Sequence, residues 1–381
     1  MPYVSSNPCG IIVPSWIQLL WPHFFMLSSA SQLSVIIPAI DEEDALPLLL
    51  KQLWRQQDIE LELILADGGS RDSTLSIATA HGVRVVATDA GRGRQMNAGA
   101  AVSSSPFLLF LHADSGLTDE RQLADALAAL KQAMQARGQQ RIAGHFRLSF
   151  RRSRPDQGFV YHYYEEKSAL NRPECTNGDQ GFLLPRSLFD ALGGFDESLW
   201  FLEDQRLAET IRSKGEWITL PGTLETSVRR FEQEGLGRRM ILSALIMNFH
   251  AIGLDAFFER VASVYRNQSQ TGQLQLAPIF RLIDALNREV GSRVARQRWL
   301  ASGRYVRGHA WQLFFLFDLV LQRLLGVRRR PGLWLHDRVF RPLTDFVLFD
   351  WLTAGLAWLW FHASWRLFRR LERGQTELDS P

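Results

Sequence analysis

Ser34-Val35-Ile36-Ile37-Pro38-Ala39 is a continuous apolar run that leads into Asp41-Glu42-Glu43. Two further runs share its design. Leu61-Glu62-Leu63-Ile64-Leu65-Ala66 ends in Asp67-Gly68-Gly69-Ser70, and Phe107-Leu108-Leu109-Phe110-Leu111 ends in His112-Ala113-Asp114. A shorter run, Val83 to Ala87, lies between these two. The helical stretches Glu43 to Arg55, Asp72 to Ala80 and Arg94 to Ser103 separate the four. Continuous apolar strands alternating with helices predict an α/β fold, with a mostly parallel sheet covered on both faces. Ligands of such sheets bind beyond the carboxyl ends of the strands, and three strands deliver acids to that rim. Asp also caps helices that follow strands, so a capping role stays open for Asp41 and Asp72. Asp67 and Asp114 each close an apolar strand and are harder to explain as caps.

Composition narrows the function classes. At ~150 residues per domain, 381 residues predict two to three domains. A chain 46% hydrophobic and 22% charged can bury a core, which excludes general disorder. A net charge of only +3 argues against a nucleic-acid partner, which calls for a concentrated basic face. Cys9 and Cys175 are the two cysteines, too few for a disulfide framework or a Cys-rich zinc site, and they fit a reducing compartment. The segment Gly91-Arg92-Gly93-Arg94-Gln95-Met96-Asn97-Ala98-Gly99 lacks the dinucleotide spacing. It precedes a helix, so its backbone N–H groups and Arg92 or Arg94 can meet phosphate. No Walker A, zinc-protease or G-x-S-x-G pattern occurs.

The two ends differ from the middle. Residues 1–32 carry Trp16 and Trp21 but no basic start of a signal peptide. The reading is an N-terminal extension, with translation beginning at Met26 or a short docking segment as the alternatives. Seven of the 12 Trp lie from Trp299 onward. Two apolar stretches stand there, Trp311 to Leu325 and Phe346 to Trp365, the second holding Asp350 and His362. Arg328, Arg329, Arg330, Arg338 and Arg341 lie between them, and Arg366, Arg369, Arg370 and Arg373 follow. Basic residues on both flanks give no positive-inside asymmetry. Helices lying in a membrane interface fit best, ahead of soluble packing and of a true span. The expected segments are 1–32, an α/β domain at 33–265, and a helical, aromatic- and Arg-rich region at 266–381.

A set of short motifs stands in order: Val35-Ile36-Ile37-Pro38, Ala66-Asp67-Gly68-Gly69-Ser70-Arg71-Asp72, Phe110-Leu111-His112-Ala113-Asp114, Gly193-Gly194-Phe195-Asp196 and Glu203-Asp204. This set resembles the family 2 glycosyltransferases, with the GT-A fold, a Rossmann-like nucleotide-diphospho-sugar transferase sheet. Gly91 to Asn97, Asn177-Gly178-Asp179-Gln180-Gly181 and Thr226-Ser227-Val228-Arg229-Arg230 are similar to the subgroup associated with radical-SAM and selenodomain proteins. The resemblance covers roughly residues 33–265.

The resemblance implies a sugar transferase with a nucleotide-diphosphate sugar donor and a divalent metal, Mg²⁺ or Mn²⁺. It places Pro38, Ala39, Asp41, Glu42, Asp67, Gly68, Arg94, Asn97 and Asp114 at the donor. It places Asp114 and His112 at the metal, and Asp204, with Glu203 beside it, as the catalytic base. His112 stands where relatives carry the first acid of D-x-D; His suits Mn²⁺, whereas Mg²⁺ prefers oxygen. Asp179, Gln180, Arg229 and Arg230 are expected on the acceptor side. One base without a nucleophilic carboxylate fits single displacement with inversion. The acceptor is unnamed by the sequence, a lipid-linked one being among the options. The expected location is cytoplasmic, with peripheral contact on the inner membrane face through the C-terminal region. A nucleotidyltransferase, or a non-catalytic nucleotide-sugar-binding or membrane scaffold protein, is the rival reading.

Overall fold

The structure is a computed structural model that describes residues 32–153, 158–199, 201–266 and 273–378. The extension expected at 1–32, with its start at Met26, lies outside those residues except for Gln32. In chain order the first half comprises β1 (Leu33–Ala39), α1 (Leu46–Leu53), β2 (Leu61–Asp67), α2 (Thr74–Ala80), β3 (Arg84–Ala87), α3 (Arg92–Val102), β4 (Phe107–Phe110), β5 (Gly116–Leu117) and α4 (Gln122–Arg137). Then come β6 (Ile142–Arg151), α5 (Gly158–Ser168), a 3₁₀ turn (Gly178–Gln180), β7 (Phe182–Pro185), α6 (Arg186–Leu192), α7 (Glu203–Lys214) and β8 (Glu216–Ser227). Helices follow: α8 (Arg229–Glu234), α9 (Leu236–Ala251), α10 (Asp255–Arg266), α11 (Ala277–Glu289), α12 (Gly291–Gly308), α13 (Trp311–Leu325), α14 (Pro331–Leu335), α15 (Arg341–Thr344) and α16 (Val347–Leu378).

The strands form one eight-stranded sheet in the order β3-β2-β1-β4-β7-β6-β8-β5. β3, β2, β1 and β4 run parallel, as their apolar, two-sided sequences require. β7 pairs antiparallel with both β4 and β6, and β8 is parallel to β6 but antiparallel to β5, so the sheet is mixed. The chain leaves β1 first toward β2 and then, after β3, crosses to β4 on the other side. The crevice between β1 and β4 is therefore the topological switch point where α/β sheets bind ligands.

Period-2 alternation sorts the strand residues between two cores. Leu33, Val35 and Ile37 join α1 and α4 residues such as Leu49 and Leu130 on one face. Ile36, Leu108 and Phe110 meet Met96, Phe189, Phe195 and Trp217 on the other. Burying one such side chain contributes about 1.5–3 kcal/mol, which fixes register, because a one-residue slip would exchange the two faces.

A third core is purely helical and joins Leu245 and Phe249 of α9, Phe257 of α10, Phe280 and Ile283 of α11, and Phe361 of α16. It takes helices from both sides of residue 266. α12 crosses α16 at Gly303, where a Cβ would stand 2.4 Å from the Asp350 carbonyl oxygen. The helices also lean on the sheet domain. Trp311 and Phe315 of α13 pack with Leu170 and Cys175, Arg330 pairs with Glu166 at 3.2 Å, and Arg172 pairs with Asp337.

Candidate active site

The rim of the sheet is built from loops that hold one another. Asp41 adopts a left-handed φ of 54°, and its carboxylate accepts the Arg71 N–H at 2.7 Å. The Glu42 N–H donates to Thr74 Oγ1 at 2.8 Å and the Glu43 N–H to Asp72 Oδ2 at 3.0 Å. These bonds join the loop after β1 to the loop after β2. They also make residues 43–45 part of the loop, so α1 begins at Leu46 and not at Glu43. Asp67 is buried, and its carboxylate accepts the Gly69 N–H at 2.9 Å and the Ser70 N–H at 3.2 Å. Gly68 leaves room for Ile40, whose side chain a Cβ would approach to 2.7 Å. From α3, buried Gln95 donates at 2.9 Å to the carbonyls of both Ala39 and Ala66. It ties together the last residues of β1 and β2, with Pro38 and Ala39 in register with Ala66 and Asp67.

Four elements bring carboxylates to this rim: Glu42 after β1, Asp114 after β4, Asp179 in the 3₁₀ turn, and Glu203 and Asp204 in the first turn of α7. Their mutual influence shows in their ionisation. Burial and the neighbouring Asp114 charge push the Glu42 carboxyl up, and its buried Oε2 has no hydrogen-bond partner among the described residues. Burial and Asp204 likewise raise Glu203. Arg92, at the start of α3, reaches Glu203 Oε1 at 3.5 Å. Burial opposes its charge, but Glu203, Asp179, Asp204 and Asp114 outweigh that and hold its pKa above the usual arginine value.

Asp179 behaves differently. Burial would raise it, yet the His112 hydrogen bond and charge, with Arg92 and Arg230, hold it down at about 2. An ionised carboxylate only accepts, so His112 Nδ1, 2.9 Å from Asp179 Oδ1, carries the proton. With Nδ1 engaged by Asp179, Nε2 is the ring nitrogen left to meet a ligand. Asp204 Oδ2 accepts the Gly178 N–H at 2.7 Å and Oδ1 the Gln205 N–H at 2.8 Å. Leu202, in left-handed conformation with φ 66°, turns the chain sharply into α7 just before these acids.

Two residues of the expected site are engaged by backbone. Gln180 is expected on the acceptor side. It is fully buried, donating to the carbonyls of Phe146 and Ser168 at 3.0 and 2.8 Å while its own oxygen accepts the Asn177 N–H. An amide between strands has no water to satisfy it, so it bonds backbone. Asn97, expected at the donor, bonds the Phe195 N–H and carbonyl, both at 2.9 Å, and thereby fixes the Gly193-Gly194-Phe195 loop. Arg94 pairs with Asp89 at 3.5 Å and Glu197 at 3.7 Å on the outer rim, which leaves Arg92 as the arginine turned to the acids. Arg229 stands 4.0 Å from Glu42 and from Asp44, and exposed Arg230 lowers both Glu42 and Asp179 by its charge. Gln95 went unrecognised in the sequence. Its one signal was a polar residue on the helix face that also carries Met96, Gly99 and Ala100.

Among the described residues no three His, Cys, Asp or Glu side chains converge as a ready coordination sphere. The donor set still fits a cation that takes one or two protein ligands and the rest from phosphate and water, as Mg²⁺ does. Burial first, then the charge of Asp114 on Glu42 and of Asp204 on Glu203, push both carboxyls up, so the acids of this rim repel one another. A His whose other nitrogen is fixed by a carboxylate is also the usual form of a metal-ligating His.

Residues 34–193 match the family described as Glycosyl transferase family 2. The PGL/p-HBAD biosynthesis glycosyltransferase of Mycobacterium tuberculosis (strain ATCC 25177 / H37Ra) is 37% identical over 107 residues, 26% of this chain and 42% of that protein. The 4,4'-diaponeurosporenoate glycosyltransferase of Staphylococcus haemolyticus (strain JCSC1435) is 32% identical over 162 residues, 40% of each chain. The chain thus spans about two fifths of the length of the curated relatives it matches. Among solved structures, S. aureus TarS 1-349 in complex with UDP-GlcNAc is 14% identical, with a TM-score of 0.44, over 88% of this chain and 92% of that one. The mannosyltransferase PcManGT from Pyrobaculum calidifontis, in complex with GDP-Man and Mn²⁺, is 17% identical, with a TM-score of 0.45, over 87% and 88%.

Proposed function

We propose that this chain, whose residues 34–193 belong to glycosyl transferase family 2, moves a sugar from a nucleoside diphosphate to an acceptor hydroxyl with inversion at the anomeric carbon. The observation that supports it is the gathering of Asp114, Asp179, Glu203 and Asp204 around Arg92, with Glu42 near Asp114, at the switch point of the sheet. Asp67 and the loop it organises lie beside that crevice and suit the nucleoside. Asp114 and His112 Nε2 are the groups that would hold a divalent cation, which when bound neutralises charge on the departing diphosphate.

The remaining work falls to side chains of this chain. Asp204 sits at the start of α7 with both carboxylate oxygens aimed by backbone N–H groups, and each oxygen keeps a further lone pair. It takes the acceptor's proton as the acceptor oxygen bonds to the anomeric carbon. The bond from that carbon to the diphosphate oxygen breaks, and the electron pair leaves with the diphosphate. Arg92 stays cationic throughout and stabilises the developing negative charge. Glu203, buried against Arg92, holds the guanidinium in place.

Thermal unfolding in the presence of nucleoside diphosphates, with and without Mn²⁺ or Mg²⁺, tests donor binding. A ligand at about 100 times its Kd raises stability by about 2.7 kcal/mol. The expected result is stabilisation by one nucleotide that grows with the cation. No stabilisation by any nucleoside diphosphate would refute the reading.

A further inference from the structure

We propose that the outward faces of α13, α14 and α16 form a docking surface for an anionic phospholipid bilayer, lying in its interface and not crossing it. Apart from Ile40, Leu48, Trp54, Leu75, Val294 and Val306, every large apolar side chain exposed among the described residues lies between Leu313 and Leu371. Their spacing is helical. On α13 the buried stripe is Trp311, Phe315 and Leu319, and the opposite stripe is Leu313, Leu316, Phe317, Val320 and Leu324. On α16 the buried stripe is Asp350, Ala354 and Phe361, and Leu348, Leu352, Leu356 and Leu359 face away from it. A soluble helix shows the reverse, a polar outer face. Leu313 and Leu324 are 70% and 73% exposed, and Leu348 and Leu356 66% and 67%, which makes these faces far more apolar than scattered surface leucines.

Charge identifies what covers them. Each described carboxylate of this region serves the fold. Asp318 accepts the Gly332 and Leu333 N–H groups at 2.5 and 2.8 Å. Asp337 takes Arg172, Asp345 takes Arg307, Asp350 takes Arg304 and Arg307, and Glu372 takes Arg238. The arginines are left over. Arg328, Arg329, Arg338, Arg341, Arg366, Arg369 and Arg370 are exposed, and none pairs with a described carboxylate. They bracket the apolar stripes: two after α13, two before α16, and three after its apolar half. Apolar side chains for the acyl boundary, flanked by guanidinium groups for phosphate, match an anionic membrane surface. A second copy of the chain would bring the same cations against these cations.

The backbone selects in-plane docking. No single described helix is long and apolar enough to cross a membrane, and the one pair that passes by length and composition, Pro331–Thr344 with Val347–Glu372, is bent by 104°. α16 also packs against α11 and α12 along its inner side, and Asp350 and Glu372 are buried there in ion pairs. Extracting α16 to span would break both.

The test is co-sedimentation of the full chain with vesicles of phosphatidylcholine alone or with anionic phosphatidylglycerol added, whose negative surface potential attracts arginines near the membrane. Binding is expected only with the anionic lipid, with loss at high salt and a blue shift of Trp fluorescence. The triple variant Arg366→Gln, Arg369→Gln, Arg370→Gln should weaken binding about a hundredfold, at roughly fivefold per arginine. Leu352→Ser with Leu356→Ser, on exposed positions, should abolish it while leaving the unfolding temperature unchanged. Three results overturn the proposal: equal binding to neutral vesicles, resistance of bound protein to alkaline extraction, or a dimer in light scattering that the leucine variant dissociates. Absence of vesicle binding by folded wild type overturns it as well. None of these readouts depends on sugar transfer, so the failure of either reading is seen separately.

Discussion

Asp204→Asn preserves shape but not hydrogen-bond chemistry, and the structure gives both consequences. The carboxylate accepts two backbone N–H groups, from Gly178 at 2.7 Å and from Gln205 at 2.8 Å. An asparagine offers one carbonyl oxygen and one NH₂, so one of those N–H groups meets a donor. Leaving a partly buried donor without an acceptor costs about 1–3 kcal/mol. A protein with about 5–15 kcal/mol of stability stays overwhelmingly folded after that loss. The unfolding temperature should therefore drop measurably while the protein remains folded at assay temperature. Removing a general base costs about 10²–10⁴ in rate, far more than the unfolded fraction explains. Donor affinity should stay within about threefold, because a group used only in the transition state adds nothing to ground-state binding. Thermal melting, calorimetric titration of the donor and single-turnover transfer read the three quantities separately. Normal turnover would remove Asp204 from the chemistry and point to Glu203 or Asp179. Loss of donor binding would place it among the groups that hold the donor or its cation.

Three other outcomes are expected. Asp114→Ala should abolish the cation dependence of nucleoside diphosphate binding in calorimetry and leave the fold intact; an unchanged dependence counts against its metal role. Gln95→Ala leaves the carbonyls of Ala39 and Ala66 without their buried donor, and at about 1–3 kcal/mol per orphaned group the urea midpoint should fall clearly, whereas a shift within error would show the bonds to be dispensable. Asp179 ionises at about 2 in the folded chain, below its ordinary value, so its contribution is fully present above the ordinary Asp range and is lost as pH falls toward 2. Asp179→Asn should accordingly lower stability at neutral pH, and the gap to wild type should close as pH drops from about 4 toward 2; a gap that widens on acidification would reverse the sign of that argument.

Much of the fold was legible because its signals are local. An apolar run such as Val35-Ile36-Ile37 can be satisfied only by burial on both sides, and the acids that close such runs fall at the rim by chain direction alone. Four strands and three helices of the first half follow from that pattern. The antiparallel entry of β7 between β4 and β6 does not, since strand partners depend on contacts distant in sequence. In the site, the sequence supplied the acids but not their relations. Asp179, Gln180 and Asn97 are polar residues in turn or helix contexts of similar appearance, and no local rule separates them. The tertiary structure turns Asp179 to His112, buries Gln180 among backbone carbonyls and sets Asn97 against the Phe195 backbone.

Arg92 and Arg94 are equivalent by spacing. One helical register turns Arg92 toward Glu203 and leaves Arg94 with Asp89 and Glu197. At the C-terminal end, composition alone announced apolar, Arg-rich helices. Which face of each is covered was decided by the packing of Phe361 and Phe315, because an amphipathic pattern becomes a surface only when one side has found its partner. Residue type and spacing set what each element can do, and long-range packing determines which group it meets, since desolvation and charge act through space and not along the chain.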